Sequence, residues 1–241
     1  MTLQSNLTAF VIASSAAVVG LCLLSAIWSR RFHEYLTRCV KRCVVRGRKT
    51  DIVRKEEFSV IIIGLDGAGK TTLLEKIKTL YNETPGLTPD KIGPTVGQNT
   101  GKITLPSTIL QFWDLGGQRG IRNIWPKYYD DCHAVVYVID AEDRERLGEG
   151  WEVFDSVLSA PQILGVPLLL LANKQDSPLS LSVEEIRNDY EDWHQRKLES
   201  ARRDRFGETE HAVAARRERL ASLDVMGVSA LEGDAQKNGG N

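Results

Sequence analysis

At 241 residues, 42% of them apolar and 26% charged, the chain has room for one α/β domain of about 170–190 residues with appendages at its ends. A formal net charge of −1 gives no electrostatic basis for binding nucleic acid, and none is expected as a partner. Four cysteines (Cys22, Cys39, Cys43 and Cys132), with no CxxC pair and no histidine at zinc spacing, argue against a disulfide scaffold or a zinc module.

The first charged side chain is Arg30. Before it, Leu7 to Trp28 reads LTAFVIASSAAVVGLCLLSAIW, roughly twenty residues diluted by Ser14, Ser15 and Ser25 and long enough to cross a hydrocarbon core of about 30 Å. Trp28 stands where an interfacial aromatic would. A signal peptide needs a positive n-region, which MTLQSN lacks; a mistaken start of the reading frame is the other alternative. Arg30, Arg31, Arg38, Lys41, Arg42, Arg46, Arg48 and Lys49 follow, against Glu34 alone, so the positive-inside rule leaves the rest of the chain in the cytosol. The expectation is one transmembrane helix within residues 1–30 and a basic juxtamembrane segment over 31–56. Phe32, Leu36, Cys39, Val40 and Cys43 recur at helical spacing, as in a helix lying on an anionic leaflet. Cys39 and Cys43 share a face, either as small juxtamembrane side chains or as palmitoylation acceptors.

Beyond Glu57 strands and helices alternate. FSVIIIGL (58–65) is a buried strand running into a Gly-rich loop, and Lys70 to Leu80 is the helix after it. Residues 84–100, broken by Pro and Gly, read as a long loop. KITL (102–105) and TILQFWD (108–114) flank Pro106-Ser107 as an antiparallel hairpin. AVVYVID (134–140) and VPLLLLANK (166–174) are two more buried strands, each followed by helical sequence. Continuous apolar strands in this alternation predict an α/β fold with a doubly wound, mostly parallel sheet. Trp151 and Phe154 fit ordinary helix-to-sheet packing, and the histidines 33, 133, 194 and 211 share no ligand spacing.

GLDGAGKT (64–71) satisfies G-x-x-x-x-G-K-[ST], with a strand before it and a helix after. Asp66, Gly67, Ala68, Gly69, Lys70, Thr71 and Thr72 would turn their N–H groups toward phosphates at a helix N-terminus. Lys70 would reach the β- and γ-phosphates, and the Thr71 hydroxyl would ligate Mg2+. Asn173-Lys174-Gln175-Asp176 follows the apolar strand at the sheet end where α/β ligands bind. The Asp176 carboxylate can accept from N1–H and the exocyclic amine of guanine, a donor pair that adenine lacks. Asn173 would brace the loop, the Lys174 stem would cover the base, and Ser229-Ala230-Leu231 would complete the pocket through backbone contact. Between them WDLGGQ (113–118) offers Asp114 to stand behind the direct ligands of Mg2+, Gly117 for the γ-phosphate and Gln118 to orient the attacking water. Thr95 is the natural second hydroxyl for the cation.

From about Glu57 to Glu232 the chain resembles the Arf family of small GTPases: GLDGAGKTT, the first switch GPTVG, WDLGGQ, and Trp125 with Tyr128 behind the second switch carry the resemblance. GPTVGQN, FWDLGGQ, KYY and CHAVVYVID place it nearest the Arf-related branch, which acts at the Golgi. The resemblance implies a GTP/GDP switch on the cytosolic face of a Golgi or other endomembrane, with an exchange factor, a GTPase-activating protein and trafficking effectors as partners. It also implies an effector platform at Gln98, Trp113 and Tyr128, where Gln98 replaces the usual aromatic and so points to different effectors. With no Arg between Lys78 and Gln118, no arginine finger comes from the first switch, and slow intrinsic hydrolysis is expected.

The chain departs from the family at four places. Residue 67 is Gly rather than the branch's usual Asn. Thr2 and the long apolar run replace a short, often myristoylated amphipathic helix. Residues 187–223 form a charged insert, read as a solvated helix, a mobile loop or a partner-binding element. After Leu231 the polar tail EGDAQKNGGN shows no closing helix, which would leave apolar sheet surface bare; 233–241 is expected to be disordered. Two other readings stand beside the switch: a docking subunit like the β subunit of the signal-recognition-particle receptor, and a scaffold that binds GTP without turnover.

Overall fold

The computed structural model describes residues 55–82, 85–105, 108–203 and 224–231. The expected anchor, nearly all of the basic segment with Cys39 and Cys43, residues 204–223 of the insert and the tail after Leu231 lie outside the described residues. Among the described residues no helix is long and apolar enough to cross a membrane.

Strand β1 (Glu56–Ile63) lies at the centre because its residues are apolar on both faces. Phe58, Val60 and Ile62 point to one side, where they pack with Leu73, Leu74 and Ile77 of helix α1 (Lys70–Asn82). Ile61 and Ile63 point to the other, toward Trp151, Phe154 and Val157 of α2 (Leu147–Leu158). That alternation follows from the two-residue period of a strand, and it requires helices on both faces.

The other strands are β2 (Gln98–Thr104), β3 (Thr108–Leu115), β4 (Ala134–Asp140), β5 (Leu168–Asn173) and β6 (Asp224–Gly227). Their order is β2-β3-β1-β4-β5-β6, with only β2 antiparallel, so the expected mostly parallel, doubly wound sheet is observed. The hairpin is longer than KITL suggests. β2 begins at Gln98, opposite Leu115, inside the stretch expected to be loop. Only Gly101 and Ile103 of β2 are buried, so this edge strand has almost no apolar alternation to read.

Helix α3 (Val183–Arg203) starts at a capping box: Glu185 N donates to Ser182 Oγ at 3.2 Å while Ser182 N donates to Glu185 Oε2 at 2.8 Å. The first part of the charged insert is thus helix, and it is docked rather than free. Trp151 Nε1 donates to Asp189 at 2.6 Å, Tyr190 packs on Trp151 with ring centroids 4.8 Å apart, and Lys197 bridges Glu152 and Asp155 of α2 at 3.2 and 3.1 Å. His133 accepts from Ser59 N at 3.1 Å and His194 is buried. Val136, Leu169 and Leu171 are fully buried in the cluster that holds Leu73, Leu74 and Ile77 of α1.

Candidate functional site

Residues 64–69 join the end of β1 to the start of α1, and the backbone must curl tightly to do so. Gly67 has φ +78°, and a Cβ there would meet nothing within 4 Å. Asn is among the few other residues that adopt this left-handed conformation readily, so Gly in the branch's Asn position keeps the loop's shape. Asp66, Gly67, Gly69, Lys70, Thr71 and Thr72 line a cleft of about 390 Å3, closed on its far side by Ile92 to Thr95, Gly117 and Gln118. All the expected phosphate and catalytic residues except Ala68 thus face one cavity. Ala68 is buried, and its carbonyl accepts from Asn173 Nδ2 at 2.7 Å.

Lys70 is buried, and its ammonium donates to Leu65 O at 2.6 Å. Burial pulls it from 10.5 down to about 8, against the carboxylates of Asp114 and Asp66. An anionic phosphate in the cleft would reverse that pull.

Beside Lys70, three oxygens from three elements converge. Thr71 Oγ1 lies 2.8 Å from Thr95 Oγ1 and donates to Asp114 Oδ2 at 2.6 Å; Thr95 Oγ1 lies 3.4 Å from the same carboxylate oxygen. Asp114 is fully buried, and its Oδ1 has no hydrogen-bond partner among the described residues. Burial raises its pKa, opposed by Thr71 and Lys70. A hard, all-oxygen donor set with an unsatisfied carboxylate oxygen suits Mg2+. Among the described residues no cluster of His, Cys, Asp and Glu offers another metal site.

Gly117 touches the phosphate loop from behind: a Cβ there would lie 2.4 Å from Gly64 O and 2.5 Å from Asp66 N. Any side chain would push the two segments apart. Gly116 N donates to Gly97 O at 2.8 Å, tying the second switch to the first, and Trp125 Nε1 holds Gly116 O at 2.9 Å.

Sequence reasoning missed the arginines behind this junction. Arg122 Nε donates to Gly117 O at 2.6 Å, and its Nη2 pairs with Glu149 at 2.8 Å and with Asp66 at 3.7 Å. Arg146 Nη2 donates to Asp66 Oδ1 at 2.9 Å, which holds the Asp66 carboxyl below its ordinary range. Asp66 therefore faces the arginines with its carboxylate and the cleft with its backbone. The spacing of Arg122 from Gln118, one helical turn, was the available signal. Its partners on α2 and in the phosphate loop were not visible.

At the other end of the site Asn173 spans two segments. Its Nδ2 holds the phosphate loop at Ala68, and its Oδ1 accepts from Ala230 N at 3.0 Å. Gln175 N donates to Val228 O at 3.1 Å, so Ser229 and Ala230 are brought beside the turn carrying Asp176. Lys174 has φ 66°, and its ammonium pairs with Asp140 at 2.5 Å. Asp176 is exposed on that braced turn. Trp113 and Tyr128 pack with centroids 5.6 Å apart, and the Tyr128 hydroxyl donates to Gln98, so the three expected platform residues are in contact.

A phosphate loop between β1 and α1 of a mixed, mostly parallel sheet, with two switch segments closing its cleft, defines a small-GTPase fold. The chain belongs to the ADP-ribosylation factor family, which matches residues 48–223. It is 47% identical over 140 residues to ADP-ribosylation factor-related protein 1 of Rattus norvegicus, spanning 58% of this chain and 70% of that one. ADP-ribosylation factor-like protein 3 of Saccharomyces cerevisiae is 44% identical over 145 residues, 60% of this chain and 73% of the relative. The solved small GTPase Arl6 BBS3 of Trypanosoma brucei, with bound nucleotide analogue GppNp, shares the fold at a TM-score of 0.54 and 23% identity, across 73% of this chain and 89% of that one.

Proposed function

We propose that this chain is a membrane-anchored regulatory GTPase that cycles between GDP and GTP–Mg2+ forms and recruits effectors in Golgi or endosomal vesicle traffic. The observation that carries the nucleotide reading is the convergence of Thr71, Thr95 and the half-satisfied Asp114 in the cleft that also holds Lys70, Gly117 and Gln118. In that reading Lys70 and the loop N–H groups bind the phosphates, and Thr71 and Thr95 hold Mg2+ with Asp114 behind them. The cation would neutralise charge developing on the β- and γ-phosphate oxygens. Asn173, Lys174, Asp176, Ser229 and Ala230 hold guanine. Gln118 orients water onto the γ-phosphorus, the bond to the bridging oxygen breaks, and phosphate and GDP are the products. Arg122 is committed to Gly117, Glu149 and Asp66, which favours an activating protein as the source of a catalytic arginine.

Melting of the full-length chain with and without GTP–Mg2+ tests the nucleotide reading. Ligand at a thousand times its Kd should stabilise the fold by about 4 kcal/mol, and ATP at the same concentration should not. No shift with GTP would overturn it.

The trafficking role rests on likeness to the Arf-related relatives, and the anchor on residues 7–28. Immunofluorescence of the full chain should show Golgi puncta. A reticular pattern would instead favour the docking-subunit alternative.

A further inference from the structure

The short 3-10 helix Arg122–Tyr128 carries two side chains that reach back to the second switch. Such a helix turns once every three residues, so Arg122 and Trp125 leave it on the same side. They take consecutive carbonyls. Trp125 Nε1 donates to Gly116 O at 2.9 Å, and Arg122 Nε donates to Gly117 O at 2.6 Å.

Consecutive carbonyls belong to different peptide planes, and each rigid plane carries an N–H pointing the opposite way. Gly116 O shares its plane with Gly117 N–H, the group that faces the γ-phosphate in the nucleotide reading. Gly117 O shares its plane with Gln118 N–H, beside the Cα from which the Gln118 side chain departs. Trp125 therefore sets the plane that meets phosphate, and Arg122 sets the plane that aims Gln118.

Arg122 is itself locked. Its Nη2 donates to Glu149 Oε1 at 2.8 Å, and the other oxygen of that carboxylate accepts from Arg146 Nε at 3.2 Å. Arg146 in turn donates to Asp66 O at 3.3 Å and to Asp66 Oδ1 at 2.9 Å. The lock ends in the phosphate loop, so the aim of Gln118 is referenced to the segment that would hold the phosphates. With its side chain 13% exposed, Arg122 escapes most of the solvent screening that weakens surface ion pairs. Neither Arg122 nor Glu149 lines the cleft itself.

We propose that Arg122, locked by Glu149, is a positioning residue for hydrolysis: it fixes the peptide that aims Gln118 and leaves nucleotide affinity to other groups. The proposal rests on the GTPase reading above.

The alternative is that the Arg122–Glu149 pair merely fastens the second switch to α2. Full-length chains carrying Arg122→Ala, Glu149→Ala or both separate the two. Single-turnover hydrolysis of bound GTP–Mg2+ is followed over a range of concentrations of an Arf-family activating protein. Each single variant should lose about tenfold or more of the maximal rate, the effect of one charge-assisted hydrogen bond. The double variant should lose no more than Arg122→Ala alone, because Glu149 acts through Arg122. The half-saturating concentration of activating protein and the affinities for GppNp and GDP should stay close to wild type. A wild-type maximal rate in Arg122→Ala, a fall in GppNp affinity matching the fall in rate, or additive losses in the double variant each overturn the proposal. A rise in the half-saturating concentration alone overturns it too, by making Arg122 a contact for the activating protein. A wild-type chain that binds GTP but never turns it over sinks the proposal alone; one that binds neither nucleotide removes the guanine reading with it.

Discussion

Asp176→Asn should exchange guanine for xanthine as the accepted base. The turn that presents Asp176 is braced from three directions: Gln175 N to Val228 O at 3.1 Å, Ser177 N to Lys174 O at 3.0 Å, and Asn173 to both Ala68 and Ala230. Its geometry therefore survives a change in one exposed side chain. What changes is the sign of the contact. A carboxylate accepts two hydrogen bonds from N1–H and the exocyclic amine; an amide places a donor against one of those donors. Losing two charge-assisted bonds, about 1.5–3 kcal/mol each, predicts a fall in GTP affinity of about 10²–10⁴-fold. Xanthine carries a carbonyl where guanine has its amine, and it should bind the variant better than GTP does. Because Asp176 is exposed, the melting temperature without nucleotide should be unchanged. Competition of XTP and GTP against a fluorescent guanine nucleotide measures the exchange. Equal affinity of wild type and variant for GTP would remove Asp176 from base recognition.

The parts of this site that lie on continuous sequence were legible before the fold. The loop from Gly64 to Thr71 and the turn at Asn173–Asp176 each follow an unbroken apolar strand, and strand ends on one edge of a parallel sheet must meet. Thr95 could be named from its polar, broken surroundings, and the structure places it 2.8 Å from Thr71. Longer-range connections were not legible. Arg146 reaches Asp66 across 80 residues and Arg122 reaches Glu149 across 27, and surface arginines without a partner in view look like solvated charge. The extent of β2 was hidden because an edge strand with Gly101 and Ile103 as its buried residues carries too few apolar positions for a period. The docking of α3 on α2 through Lys197 was likewise concealed within a run of charges.

Gln118→Leu should leave GTP bound and stop its stimulated hydrolysis. Gln118 stands at the rim of the cleft with Lys70, Thr95 and Gly117, and it is exposed, so its side chain holds no part of the fold together. Its backbone is fixed: Gln118 O accepts from Ile121 N at 2.8 Å and from Arg122 N at 3.2 Å, while Arg122 Nε clamps Gly117 O one residue earlier. Position is therefore set by main chain and chemistry by the side-chain amide, and the substitution separates the two. Leucine can neither accept from nor donate to a water, so an in-line nucleophile loses its orientation while the phosphate and guanine contacts persist. If an activating protein contributes a factor of about 10³–10⁵, most of it should vanish, because a supplied arginine cannot act on a misplaced water. Single-turnover hydrolysis by the full-length chain, with and without an Arf-family activating protein, measures this alongside GTP affinity. Stimulated turnover at the wild-type rate would show that water is oriented by another group. Loss of GTP binding in step with hydrolysis would make Gln118 a binding residue instead, and the exposed rim position argues against that outcome.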